Sequence, residues 1–149
     1  MVYRRAIPVE FGHCDPAGIV FYPRYLEFTN SVIEQFFAEA VGHSFRRIVM
    51  EEGAGVPTRY LEADYRAPSR LGDVLDFTLR VARLGRSSVT FTIEGGADGA
   101  VRFVATPTLV WVAPGGQPAP WPEAIRTRLA AYHQPDNRGA EQKEPAHDP

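Results

Sequence analysis

The chain has 149 residues, of which 44% are hydrophobic and 23% charged, with a formal net charge of −2. This length and composition are typical of one globular domain. With 16 basic against 18 acidic residues there is no positive surplus for a nucleic-acid backbone, and no apolar run approaches the roughly 20 residues that span a bilayer. We therefore expect neither a nucleic-acid partner nor insertion into a membrane.

The two ends of the sequence and its single cysteine suggest where the protein resides and how it is organised. The N-terminal segment has arginines but lacks the apolar core of a secretory signal, and Cys14 has no second cysteine with which to form an internal disulfide. Both features fit the reducing cytoplasm. Residues 134–149 contain few apolar side chains, so we predict a single domain over residues 1–133 followed by a disordered polar tail.

The first third of the chain is predicted to form a strand, a turn and a long helix. Residues 2–11 have strand character, and Pro8 indicates an edge position or a break in pairing. The segment Asp15-Pro16-Ala17-Gly18 has the residue preferences of a β-turn. Apolar residues then recur at spacings of three and four, which predicts a helix with Pro23 as its first residue and Gly42 as its C-terminal stop.

The rest of the chain is predicted to be mostly strands. Alternation of apolar and polar residues predicts four of them, over residues 60–67, 75–81, 89–94 and 101–112. Gly85 marks a hairpin turn, and a second turn is predicted from Gly95, Gly96 and Gly99. We expect Pro107 at a bulge or an unpaired edge position, and a short closing helix over 121–132. This order predicts an α+β fold with one antiparallel sheet and a helix across one face.

The residue types alone leave two interpretations of Asp15 open. An aspartate before proline commonly begins a type I turn, which is a structural role. Asp15 also comes just before a predicted helix, whose first N–H groups lack intrahelical partners and favour developing negative charge. A carboxylate beside such an oxyanion-binding helix end could act in hydrolysis.

His13 and Cys14 adjoin Asp15 in sequence, but we do not expect the three to form a reactive cluster. Consecutive side chains in a strand point to opposite faces, so they cannot converge on a metal ion or form a Cys–His nucleophile pair. No second group of residues has the spacing of a zinc site. We therefore predict no metal and no cofactor.

Two segments carry a resemblance to a known family. Residues 11–28, FGHCDPAGIVFYPRYLEF, resemble the start of the hotdog-fold acyl-CoA thioesterases, especially the branch that includes 4-hydroxybenzoyl-CoA thioesterase. Residues 65–91, YRAPSRLGDVLDFTLRVARLGRSSVTF, are similar to the second half of that family. The resemblance implies a hotdog fold, in which a five-stranded antiparallel sheet wraps around a long central helix.

The resemblance also implies a reaction, the hydrolysis of a small, aromatic acyl-CoA to the free acid and CoA. Asp15 would attack the thioester as a nucleophile or activate water as a general base. The backbone N–H near Tyr22 would polarise the thioester carbonyl, and Gly18 would let the chain approach it closely.

The remaining implied contacts concern substrate and partner. The resemblance implies substrate binding by His13, Asn30, Arg86, Ser88 and Thr58, with Arg86 and Ser88 at the CoA end and Thr58 from a second subunit. It further implies a homodimer or homotetramer whose sites lie at the subunit boundary. The alternative is a non-catalytic module of the same fold that binds acyl-CoA or acyl-carrier protein.

Overall fold

The structure is a computed structural model that describes residues 1–134, and in this part of the chain five strands surround one long helix. The elements are β1 Tyr3–Pro8, α1 Arg24–Phe36, β2 Thr58–Tyr65, β3 Val74–Leu84, β4 Ser88–Ala97, β5 Ala100–Val110 and α2 Glu123–Ala130. The strands form one antiparallel sheet in the order β1-β3-β4-β5-β2. The predicted α+β fold, a five-stranded sheet around a central helix, is confirmed.

Helix α1 packs against one face of the sheet because its apolar residues lie on one side. The buried positions recur at spacings of three and four and are Tyr25, Phe28, Thr29, Val32, Ile33 and Phe36. The helix continues as a π-helical turn, Phe37–Val41, and ends at Gly42, whose φ of 73° is left-handed as a C-terminal stop requires. The predicted start is one residue early, since Pro23 is the N-cap and Arg24 the first helical residue.

The sheet is buried in its centre and exposed at one edge. In β3 the side chains of Leu75, Phe77, Leu79 and Val81 have no solvent exposure and alternate with more exposed neighbours. By contrast, all eight residues of β2 are exposed. Strand β1 forms the other edge, as Pro8 predicts. No helix within residues 1–134 is long and apolar enough to cross a membrane.

The second predicted turn is confirmed at Gly99 but is wrong for Gly95 and Gly96, which lie within β4. The chain instead reverses at Asp98 and Gly99, which both have positive φ. A Cβ atom at Gly95 would come within 2.5 Å of Phe77 Cε1. This glycine therefore makes room for a core ring in the neighbouring strand, and no local sequence pattern distinguishes that need from the need of a turn.

The expected position of Pro107 is also wrong, because β5 is an internal strand with β4 and β2 on its two sides. Pro107 lies opposite Leu61 of β2. On the other side, Thr108 of β5 pairs with Thr90 of β4 and Ala105 pairs with Ile93, but Pro107 between them has no pairing partner in β4. The sheet thus tolerates the missing N–H by a gap in one ladder.

The predicted tail 134–149 lies outside the described residues except for Gln134. The backbone N–H of Gln134 donates to the Val81 carbonyl at 2.9 Å.

Candidate active site

Asp15 begins a tight turn, as its sequence context predicts. Its carbonyl accepts from the Gly18 N–H at 3.0 Å, its N–H donates to the Ile19 carbonyl at 2.9 Å, and Gly18 has a left-handed φ of 77°. The Oδ1 atom accepts from the Ala17 N–H at 2.8 Å. The Oδ2 atom has no hydrogen-bond partner within residues 1–134, so one carboxylate oxygen is available for chemistry.

The half-buried Asp15 side chain lines two hollows that share Cys14 and Pro16. One has a volume of about 270 Å³ and includes Phe21 and Arg24. The other has a volume of about 500 Å³ and includes Phe11 and Leu71, which are 84% and 50% exposed. The carboxylate therefore faces a space with apolar walls that is open to a ligand.

The wall formed by Leu71 is held in place by backbone and ionic contacts. The Leu71 N–H donates to the Gly18 carbonyl at 3.0 Å. Two residues further on, the Asp73 carboxylate accepts from the Arg70 N–H at 2.8 Å and from the Arg102 guanidinium at 2.7 Å. These two donors, the Arg70 N–H first, hold the pKa of Asp73 below its usual value.

Tyr22 presents a free backbone N–H just before α1. The preceding carbonyl, of Phe21, accepts from the Arg24 N–H at 2.9 Å, and the Tyr22 carbonyl accepts from the Tyr25 N–H at 3.3 Å and from the Tyr65 hydroxyl at 3.1 Å. We find no acceptor for the Tyr22 N–H among the described residues. It is one of the donors that a helix start leaves unsatisfied, and it can bind an oxygen that gains negative charge.

His13 and Cys14 have hydrogen-bond partners of their own. The predicted first strand is too long, because β1 ends at Pro8 and Phe11–His13 form a 3₁₀ turn. In that turn His13 Nδ1 accepts from the Glu10 N–H at 2.9 Å, and Cys14 Sγ lies 3.6 Å from the Glu10 carbonyl oxygen. The side chains of His13 and Cys14 both contact the backbone of Glu10, whereas the Asp15 carboxylate accepts from the Ala17 N–H. The three side chains therefore do not form a reactive cluster.

The hollow that His13 lines is separate from those of Asp15. It has a volume of about 320 Å³ and lies between β1 and α1, with Glu27, Phe28 and Ser31 on the helix side. The His13 ring stands edge-on to Phe28 at 4.8 Å between centroids. Since Nδ1 is an acceptor, Nε2 carries the proton of the neutral ring and is the donor available to a ligand.

Arg86 lies in the turn between β3 and β4 and Ser88 begins β4, and two residues near the C-terminal end of the described chain hold this turn. The Arg126 guanidinium donates to the Gly85 carbonyl at 2.8 Å, and the Trp121 indole donates to the Ser88 carbonyl at 3.1 Å. The Arg86 side chain is exposed, and within the described chain its guanidinium has no ion-pair partner. A fixed backbone thus presents a free arginine to solvent.

The structure divides the predicted site residues between two ends of the sheet. Tyr22 contacts the Tyr65 end of β2 through its carbonyl, and Asp15 and Gly18 lie in the turn that leads to it. Thr58, at the other end of β2, pairs with Leu109, and Ser88 pairs with the adjacent Val110. Seven residue steps of a strand span about 23 Å. One chain therefore does not bring Arg86, Ser88 or Thr58 to Asp15.

Asn30 is exposed on α1, one turn after Leu26. It lines none of the hollows described above.

Sequence reasoning missed three residues that hold this geometry, Tyr65, Trp121 and Arg126. Tyr65 begins the segment 65–91, whose family resemblance implies no role for it, and its hydrogen bond to Tyr22 joins positions 43 residues apart. The hydrogen bond from Arg126 to Gly85 joins residues 41 positions apart, and the one from Trp121 to Ser88 joins residues 33 positions apart. No local pattern signals contacts of that sequence separation.

Comparison with known proteins identifies the fold and family. The sequence profile of the thioesterase-like superfamily matches residues 9–129. A 4-hydroxybenzoyl-CoA thioesterase from Pseudomonas sp. (strain CBS-3) is 32% identical over 95 residues, which are 59% of this chain and 67% of that protein.

Solved structures agree on the fold. A 1,4-dihydroxy-2-naphthoyl-CoA thioesterase from Synechocystis superposes with a TM-score of 0.80 at 21% identity, over 87% of this chain and 96% of the other. A Staphylococcus aureus protein in complex with CoA gives a TM-score of 0.83 at 15% identity, over 97% and 96%. The chain has the hotdog fold, belongs to the thioesterase-like superfamily and is a thioester hydrolase.

Proposed function

We propose that this protein hydrolyses acyl-CoA thioesters that carry a small aromatic acyl group, releasing the free acid and CoA. Asp15 is the catalytic carboxylate, and the Tyr22 N–H is the donor that polarises the thioester carbonyl. The proposal rests on the resemblance of residues 11–28 and on the similarity to a 4-hydroxybenzoyl-CoA thioesterase. The apolar walls of the hollows beside Asp15, formed by Phe11, Phe21 and Leu71, suit an aromatic ring.

One observation carries the assignment of the reaction centre. A single tight turn delivers a carboxylate with one unpaired oxygen to the start of α1, where the Tyr22 N–H is also unpaired. A thioester needs these two groups, one to supply or activate the nucleophile and the other to stabilise the oxyanion. Loss of one oxyanion donor typically costs about 2.7–4 kcal/mol of transition-state stabilisation.

Two routes use the same atoms. In the first, Asp15 Oδ2 attacks the carbonyl carbon, the C–S bond breaks, CoA leaves as the thiol after protonation, and water hydrolyses the resulting mixed anhydride. In the second, Asp15 takes a proton from water, whose oxygen attacks the carbonyl carbon before the C–S bond breaks. Both routes end in the acid and CoA, and both fail without the carboxylate.

At the CoA end, Arg86 binds a phosphate and Ser88 contacts the pantetheine chain. An exposed guanidinium without an ion-pair partner suits a phosphate group, which accepts two hydrogen bonds from it. The rigid turn set by Arg126 and Trp121 lowers the entropy lost when the ligand binds.

We propose that two copies of the chain form each site by pairing their β2 strands antiparallel. The Arg66 N–H, just after β2, donates to the Arg102 carbonyl of β5. Because backbone N–H groups alternate in direction along a strand, those of Leu61, Ala63 and Tyr65 point away from β5, toward the free edge of the sheet. A two-fold axis through this edge places the partner's Thr58 end beside the Tyr65 end of the first chain. Arg86, Ser88 and Thr58 of one copy then meet Asp15 and Tyr22 of the other.

The resemblance alone supports His13 and Asn30 as substrate contacts, because neither residue lines the hollows beside Asp15. Asn30 is exposed on α1 and offers an amide to a polar group on the acyl ring. His13 offers its Nε2 proton from the hollow between β1 and α1.

The proposal is tested by following thiol release from benzoyl-, hydroxybenzoyl-, phenylacetyl- and short-chain acyl-CoA. We expect wild type to favour an aromatic ester and Asp15→Asn to lose kcat by about 10² to 10⁴, the usual contribution of a placed acid or base. The matched control is Asp98→Asn, which changes a carboxylate with a 95% exposed side chain at the far hairpin turn and should keep wild-type kcat. Equal rates for Asp15→Asn and wild type would contradict the catalytic role. Binding of these esters without turnover by wild type would favour the non-catalytic module.

A further inference from the structure

Each edge strand of the sheet carries one tyrosine whose hydroxyl reaches the central helix. On β1, the Tyr3 hydroxyl donates to Glu39 Oε2 at 2.6 Å, in the π turn at the end of the helix. On β2, the Tyr65 hydroxyl donates to the Tyr22 carbonyl at 3.1 Å, at the start of the helix. The two bonds are alike in chemistry, but only the second acts on backbone beside the reaction centre.

The Tyr22 carbonyl belongs to a peptide unit with few other constraints. The nitrogen of this unit is that of Pro23, which has no hydrogen to donate. Among residues 1–134, the carbonyl has one other donor, the Tyr25 N–H, at the long distance of 3.3 Å. The orientation of this peptide unit therefore depends on the Tyr65 hydroxyl.

The free Tyr22 N–H lies in the peptide unit that precedes the Tyr22 Cα, and the following unit is coupled to it through the two backbone torsions of Tyr22. The preceding unit is held by the bond from the Arg24 N–H to the Phe21 carbonyl, at 2.9 Å. The following unit is the one that Tyr65 holds. With an anchor on each side, rotation about the φ and ψ bonds of Tyr22 is restricted, and the unit that carries the N–H keeps its direction before substrate arrives.

The ring of Tyr65 is itself fixed by its aromatic neighbours. It lies 5.1 Å from Phe103, 5.6 Å from Tyr25 and 6.2 Å from Tyr22 between ring centroids. Burial raises the pKa of the Tyr65 phenol, so the hydroxyl remains a donor throughout the neutral range.

We propose that Tyr65 is a positioning residue for thioester hydrolysis: by binding the Tyr22 carbonyl, it pre-orients the Tyr22 N–H toward the oxyanion. This inference rests on the proposed role of the Tyr22 N–H. An oxyanion donor contributes to rate because it is oriented in advance, so a loss of orientation lowers kcat more than it affects substrate binding. Tyr65 lies on the strand proposed to pair between subunits, so it also links that strand to the reaction centre.

The test compares Tyr65→Phe with Tyr3→Phe, each of which removes one hydroxyl from an edge strand. We expect Tyr65→Phe to lower kcat roughly three- to tenfold, the value of one hydrogen bond, with KM, oligomeric mass and melting temperature close to wild type. Tyr3→Phe should keep wild-type kcat although its hydroxyl is the more buried and its bond the shorter. This split between kcat and KM distinguishes positioning from a general structural role.

The outcomes separate this inference from the proposed function. If Asp15→Asn is inactive while Tyr65→Phe keeps wild-type kcat, the positioning role is overturned and the function stands. An equal fall of kcat in Tyr3→Phe and Tyr65→Phe, or a rise in KM alone, also overturns it. If wild type hydrolyses none of the esters, both proposals fall. If Tyr65→Phe melts well below wild type, a second variant, Tyr65→Trp, keeps an aromatic ring without that hydroxyl. This variant must then show the same loss of kcat at wild-type stability, or the proposal fails.

Discussion

The two edges of the sheet differ in how they meet solvent, although both are short antiparallel strands. The Val9 N–H donates to the Asp73 carbonyl and continues the register in which β1 pairs with β3. Because backbone N–H groups alternate in direction along a strand, the backbone nitrogens of Arg4, Ala6 and Pro8 point toward the free edge of β1. Pro8 has no N–H to offer at that edge. Strand β2 has no proline, and all eight of its residues, with Tyr60, Leu61 and Tyr65 among them, are exposed.

The difference shows which edge is suited to a partner. Natural sheets protect an edge with proline or charge; both edge strands carry charged residues, but only β1 has a proline, Pro8. The β2 edge keeps the outward N–H groups of Leu61, Ala63 and Tyr65, which favours pairing with another strand. The proposed reaction centre lies beside the open edge, so the proposed pairing of two β2 strands would connect assembly to activity.

The largest expected effect comes from closing the open edge. Ala63→Pro removes one outward N–H of β2 without breaking its internal ladder. A two-fold axis repeats the change in both subunits, at about 1–3 kcal/mol each, so we expect the dimer to weaken about 100-fold or more and activity to fall with it. The matched control, Ala6→Pro, removes an outward N–H of β1 and should leave both unchanged. Sedimentation velocity and thiol release measure the two effects, and wild-type mass for Ala63→Pro would refute pairing through β2.

A smaller but more specific effect is expected from mixed dimers. We expect Asp15→Asn and Arg86→Ala to complement each other, because a shared site takes Asp15 from one chain and Arg86 from its partner. A doubly tagged heterodimer then contains one intact site of two, and should show about half the wild-type rate below the KM of wild type. Purified Asp15→Asn dimers with both tags are the control and should remain inactive. Activity no higher than the mean of the two parent variants would show that each chain builds its own site.

The smallest effect concerns the segment 66–73, which connects the edge strand β2 to β3. Strand β3 is the neighbour of the other edge strand, β1. Within the segment, Asp73 has a lowered pKa, so the stabilisation is complete above the usual carboxyl range and is lost as pH falls through the lowered value. We expect Asp73→Asn to cost up to about 1 kcal/mol at pH 7. In urea unfolding the difference from wild type should shrink toward acid pH. Asp98→Asn, which removes a 3.7 Å contact to the same arginine, should cost less; a difference that grows toward acid would contradict this assignment.

Features that depend on neighbouring residues could be predicted from the sequence. The turn at Asp15, the edge position of Pro8 and the helix stop at Gly42 follow from preferences that act over a few residues. Gly95 could not be predicted, because its role depends on a ring in another strand. The same holds for Pro107, whose strand is internal only because the sheet order places β2 outside it.

The candidate site was predictable as residues but not as an arrangement. Residues 11–28 suggest Asp15, Gly18 and Tyr22; in the structure Asp15 and Gly18 share one turn, and Asp15 lines a hollow with Phe21 and Arg24, which flank Tyr22 in sequence. The separation of Thr58, Arg86 and Ser88 from them follows from strand order and direction, which no local pattern contains. The bond between Tyr65 and Tyr22 likewise forms only when the last residue of β2 reaches the helix.

The proline in β1 also limits how large an assembly can become. A chain with two open edges has a valence of two and can add copies without end, as fibres do, whereas a chain with one open edge has a valence of one. If two copies pair through β2 as proposed, strand pairing stops at two copies and ten strands. Below the dissociation constant of that pair, the rate should rise with the square of protein concentration, because two chains must meet to complete one site.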